Sequence, residues 1–219
     1  MKTPSGTDKS PFPGNEDHAE KRAKELADLI INFARSQPID QFYDWLDEFL
    51  DIYDTYPLNT AIQDLLAKSL MKAIKLFGER KAFSDMLFLL DELSILFSRN
   101  KESLSLAEIN ARAIYHAINR LRGTWDVEGT SVLLRNLKKL HKLFTDSNEI
   151  LHSLAKSYSV AINRFCSNRQ NFTCDKLLFE FRVLANKHRK DAEMQYFFAQ
   201  AITSTIGNLS KEGRFEELE

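Results

Sequence analysis

An apolar pattern that returns every 44 residues constrains this chain more than any local motif. Ala67, Leu70, Ile74 and Phe77 reappear as Ala111, Ile114, Ile118, Leu121, then as Ala155, Tyr158, Ile162, Phe165 and as Ala199, Ile202, Ile206, Leu209. Read backwards, the register lands on Ala23, Leu26, Ile30 and Phe33, which makes five copies. A second pattern alternates with the first: Phe42, Trp45, Leu46, Phe49, Ile52; Met86, Leu89, Leu90, Leu93, Leu96; Thr130, Leu133, Leu134, Leu137, Leu140; and Cys174, Leu177, Leu178, Phe181, Leu184. Self-similarity at a fixed period of this length is the signature of a repeat architecture.

Steps of three and four place the apolar residues of each pattern on one stripe of an α-helix. Each unit is therefore a helix pair. Two amphipathic helices cannot cover both stripes alone, whereas stacked pairs share a continuous core, so the fold class predicted is an all-α solenoid of stacked antiparallel helix pairs with about nine helices. Leu90, Leu134 and Leu178 are expected to be buried at equivalent places.

Composition agrees. Seven Gly and five Pro in 219 residues leave little room for a many-turned β fold. A formal charge of −1 gives no global pull towards nucleic acid or anionic membrane, and no apolar run reaches membrane-spanning length. Cys166 and Cys174 match neither a disulfide framework nor a zinc spacing, which reads as two buried thiols in a reducing compartment and a cytoplasmic protein.

In chain order, residues 1–18 hold three of the five prolines and read as a disordered N-terminal tail, and residues 19–219 as a single solenoid domain of about four and a half repeats. Helices are expected over about 19–36, stopping before Pro38, and 40–56, closed by Pro57. The third runs from an Asn59 cap to Gly78, a residue able to take the left-handed conformation of a helix end. Further helices follow at 82–98, 104–122 with a stop at Gly123, 127–145, 148–167 opened by the Asp146-Ser147-Asn148-Glu149 cap, 172–189 and 191–209.

The segment Ile206-Gly-Asn-Leu-Ser-Lys-Glu-Gly-Arg-Phe-Glu-Glu-Leu218 resembles the inter-helix turn of tetratricopeptide repeats, with Gly213 and Phe215 ahead of an acidic helix start. The unit here is longer than that family's 34 residues and lacks its closing proline, so the likeness is TPR-like and leaves longer-repeat solenoids such as HEAT or armadillo arrays open. It implies a right-handed solenoid whose first helices line an inner groove that receives a peptide.

The residues for such a groove form a basic column. Lys24, Lys68, Arg112 and Lys156 share one repeat position, and Lys75, His116, Asn119 and Asn163 lie on the same polar side. Ala117-Ile-Asn-Arg120 and Ala161-Ile-Asn-Arg164 are identical, and each asparagine offers both a donor and an acceptor to a peptide backbone, or else its arginine ties two repeats at a helix end. An acidic run, Asp40, Asp44, Asp47, Glu48, Asp51 and Asp54, faces no local base, while Arg135, Lys138, Lys139 and Lys142 make a basic one. The five histidines have no paired ligand spacing, and no phosphate loop, HExxH or nucleophile elbow occurs. The expectation is a non-catalytic protein–protein interaction scaffold with no cofactor and no metal, binding a protein or an acidic or extended peptide. The alternatives are an RNA-binding helical repeat, for which one basic column is thin, or an assembly domain of a larger complex. Tyr196, Phe197, Phe198, Ile202 and Ile206 make the last helix a candidate for self-association or partner docking.

Overall fold

In the computed structural model, which describes residues 16–33, 38–121, 127–168, 170–211 and 213, spacings of three and four become nine α-helices, with no strand among the described residues. The fold is all-α. Contacts divide the chain into two compact units, residues 1–73 and 74–219. The expected tail before Glu16, the stop at Gly123 and the turn after Gly213 lie outside the described residues.

In the first unit, α1 (Glu16–Ile31) lays Ala19, Ala23, Leu26 and Ile30 against α2 (Ile39–Thr55), which answers with Phe42, Leu46, Phe49 and Ile52. Small residues on α1 facing large ones on α2 let the two interdigitate. Arg22 fastens the pair with a two-pronged bond to Glu48, Nε to Oε1 at 2.6 Å and Nη2 to Oε2 at 2.8 Å. The helix α3 (Thr60–Glu79) begins in this unit and passes into the second at Ile74.

The second unit continues with α4 (Phe83–Arg99), α5 (Leu104–Arg120), α6 (Val127–Leu143), α7 (Asn148–Ser167), α8 (Asn171–Lys187) and α9 (Ala192–Lys211). Its centre is α7, which packs on α5, α6, α8 and α9 and buries thirteen of its residues. Each fully buried Leu, Ile or Phe stabilises the unit by about 1.5–3 kcal/mol.

A polar ladder accompanies the apolar one. Asn59, Ser103, Ser147 and Asp191, each 44 residues from the next, cap α3, α5, α7 and α9 by accepting the N–H of Ile62, Leu106, Ile150 and Met194 at 2.8–3.3 Å. Three of these caps are held by a residue 39 positions upstream. Asn59 donates to Glu20 at 2.7 Å, Ser147 donates to Glu108 at 2.8 Å, and Asp191 lies 2.8 Å from His152.

Three expectations are corrected. Gly78 does not carry a left-handed end: α3 closes with Ala82 N–H to the Phe77 carbonyl and Lys81 N–H to the Gly78 carbonyl, a Schellman ending that puts Lys81, at φ 61°, in the left-handed position. Gly78 is needed for close approach instead, since a Cβ there would meet Arg120 Cγ at 2.6 Å. Leu178 is only half-buried, whereas Leu90 and Leu134 are 3% and 2% exposed. The buried stripe of α8 is Cys174, Leu177, Phe181 and Ala185, rotated from the one that α4 and α6 present. Finally, Cys166 and Cys174 are joined in a buried disulfide across the α7–α8 turn, their Cα atoms 5.6 Å apart, within the usual range for such a link. They are not separate thiols, and the inference of a reducing compartment from them falls away.

Candidate functional site

The eight residues expected to line a groove fall in both units. Lys24 and Lys68 belong to residues 1–73, where both are exposed and Lys68 lies 3.8 Å from Asp64 one turn back. The other six belong to residues 74–219, the part of the chain that carries 22 Lys and Arg against 18 Asp and Glu, whereas residues 1–73 carry 8 against 13.

Most of the column in the second unit is already engaged. Arg112 Nε stands 3.5 Å from Glu149, and Lys156 Nζ is 2.8 Å from Glu193. Both acids lie 37 residues after their base, in the first turns of α7 and α9, where the helix dipole also favours a negative charge. Lys156 further lies over the Phe197 ring. Asn163 accepts from Asn208 at 3.4 Å, and Ser159 donates to Gln200 at 3.2 Å. The signal for these contacts was in the sequence, as acids at a constant offset from the bases, but a search for one-signed columns passes over it.

The identical tetrapeptides diverge. Arg164, 6% exposed, donates from Nη1 to Thr130 Oγ1 at 2.9 Å and from Nη2 to the Ile118 carbonyl at 3.0 Å, which satisfies one of the last free carbonyls of α5. Arg120 is half-buried and pairs with Glu79 at 2.8 Å.

Around His116 lies a cluster in which Arg112 and Arg120 keep their pairs with Glu149 and Glu79. Arg112, His116 and Asn119 share one face of α5 through spacings of four and three. Burial lowers the His116 pKa, and the positive charges of Lys75, Arg120 and Arg112 lower it further against a smaller opposing pull from Glu79. Lys75 is exposed and makes no ion pair with a described residue. The cluster thus disfavours the charged form of the imidazole, and an anion bound there favours it.

On α6, Lys138 bonds Glu180, while Arg135, Lys139 and Lys142 are exposed. In α2 the acidic run loses Glu48 to Arg22, whose guanidinium holds that carboxyl below its ordinary range. The last helix, α9, buries only Met194 and Ala201 and leaves Tyr196, Ile202 and Ile206 exposed, with Phe197 and Phe198 half-buried. No helix among the described residues is long and apolar enough to cross a membrane. No protein-family model, curated protein or solved structure matches this chain.

Proposed function

We propose that this chain is a non-catalytic interaction scaffold, a TPR-like right-handed solenoid of antiparallel helix pairs, that receives an acidic segment of a partner protein at Lys75, Arg112, His116 and Asn119. The observation that supports this reading is the His116 cluster, where burial first and then the charges of Lys75, Arg120 and Arg112 lower the pKa of an imidazole. A carboxylate-bearing peptide pairs with the exposed Lys75 ammonium and favours the protonated form of His116, and Asn119 offers a donor and an acceptor to its backbone. Lys156 and Asn163 act in this scheme as staples between α7 and α9 rather than as contacts.

Titration with a fluorescein-labelled oligoglutamate peptide tests the reading. Binding to the full chain is expected to weaken with salt and to fall at least tenfold in Lys75→Glu/Arg112→Glu with helicity kept, since Lys75 is exposed and the Arg112–Glu149 pair is partly so, and such charges add little to stability. An anion raises the His116 pKa from its depressed value, so binding takes up a proton. Affinity therefore rises as pH falls through the range in which the bound imidazole takes up its proton, and this dependence disappears in His116→Gln. Binding that survives the double reversal at unchanged affinity overturns the proposal.

A further inference from the structure

A cavity of about 220 Å³ opens between α4, α5 and α6, with Phe97, Ile114, Leu140 and Leu143 as apolar walls, Asn110 inside and Lys139 on the lining. Asn110 is 4% exposed, and its Oδ1 has no hydrogen-bond partner. A buried carbonyl without a donor bears the whole cost of its desolvation and gains nothing in return.

The repeat supplies its own controls. The positions equivalent to Asn110 are Arg22, Leu66, Leu154 and Phe198. Arg22 is spent on Glu48, whereas the two flanking equivalents, Leu66 and Leu154, are buried at 0% and 2% exposure, so Asn110 puts an amide between two buried leucines. Lys139 stands where the neighbouring units have Ile95 and Val183, and Leu143, 65% exposed, stands where they have Arg99 and Lys187. Three departures from the flanking units, two towards polarity and one towards an apolar surface, therefore converge on one cavity. Local departures from an otherwise consistent pattern concentrate where a chain gives up stability for a site.

We infer that this cavity binds a free aromatic carboxylate bearing a ring N–H or O–H group. The ring body lies against Phe97, Ile114 and Leu140, its donor reaches the Asn110 carbonyl, its carboxylate pairs with Lys139, and Leu143 covers the outer edge. The volume fits a one- or two-ring body and is below the range of drug-sized or cofactor pockets. This site is separate from the His116 cluster and stands whether or not that cluster binds an acidic peptide.

Nuclear magnetic resonance titration of the full chain tests it, with indole-3-acetate, naphthalene-1-acetate and indole as probes. Indole-3-acetate is expected to give saturable shifts at the Asn110 side-chain amide and the Ile114 methyls. Naphthalene-1-acetate, which lacks the donor, is expected to bind about tenfold more weakly. That discrimination vanishes in Asn110→Leu, which restores the residue of the neighbouring units and melts at a higher temperature than the parent. Indole, which lacks the carboxylate, is also weaker, and its deficit vanishes in Lys139→Ile. No saturation by any probe, or a preference for the N–H probe that persists in Asn110→Leu, overturns the inference. Tighter binding of N-acetyl-tryptophanamide than of indole-3-acetate overturns it too, by assigning the cavity to a partner's side chain.

Discussion

His152 holds the first turn of α9 through both ring nitrogens, Nε2 at 2.8 Å from the capping carboxylate of Asp191 and Nδ1 at 2.9 Å from Glu193. Burial alone raises the Asp191 pKa, but the Met194 N–H and His152 together leave it below the ordinary carboxylate value. The Lys156 ammonium, with His152, lowers Glu193 against its own burial. Carboxyls depressed in the folded state contribute stability that is complete above their unfolded pKa, about 4, and is lost as pH falls through the folded one. The melting temperature of the parent is therefore expected to drop more steeply between about pH 5 and pH 3 than that of Asp191→Asn/Glu193→Gln, which keeps a cap but cannot titrate. Asp191→Ala, which loses the cap as well, is expected to cost about 1–2 kcal/mol at neutral pH by urea unfolding.

The twin tetrapeptides make a second prediction. Arg164→Met strands the Ile118 carbonyl and the Thr130 hydroxyl in a buried setting, for a loss of about 2–4 kcal/mol. Arg120→Met removes a half-exposed pair with Glu79 and is expected to cost under about 1 kcal/mol. Chemical denaturation of the two variants separates them; equal losses would contradict the different burial of the two arginines.

At the end of α3, adding a methyl at Gly78 forces Arg120 aside near its own backbone. Gly78→Ala is expected to destabilise by about 1–3 kcal/mol despite alanine's better helix propensity, with partial recovery in Gly78→Ala/Arg120→Ala. Lys81→Gly is expected to act in the opposite direction, a gain of up to about 1 kcal/mol, because glycine adopts the left-handed conformation without a Cβ clash.

How much of this was legible beforehand differs by level. Helices and the buried stripes of α4 and α6 follow from spacings of three and four, since one face must be dry whatever lies against it. The rotated stripe of α8 did not, because Leu178 and Ala185 are assigned by the fit of neighbours rather than by period. The caps Asn59 and Ser147 were visible as residue types, whereas their holders Glu20 and Glu108 became visible only when helices 39 residues apart met. The basic column was legible as charge, whereas the pairing of Arg112 with Glu149 and of Lys156 with Glu193 depends on which helices meet.

The Cys166–Cys174 link closes a short loop, with a sequence separation of 8, which in the chain-entropy account stabilises by about 2–3 kcal/mol. Reductant is therefore expected to lower the melting temperature of the parent and to leave Cys166→Ser/Cys174→Ser unaffected, as read by thermal fluorescence. An unchanged parent would show that the link adds nothing to the folded state.

The cap holders give each junction its own address. In one junction Asn59 gives hydrogens to Glu20, in another Ser147 gives one to Glu108, and in the last the acid has moved to the cap, with His152 opposite Asp191. Units are consequently not interchangeable parts. Grafting α9 behind α5 would set Glu108 against Asp191, a carboxylate against a carboxylate with no donor between them. An array of this kind cannot lengthen by copying a single unit unless the residue that receives the copy changes with it.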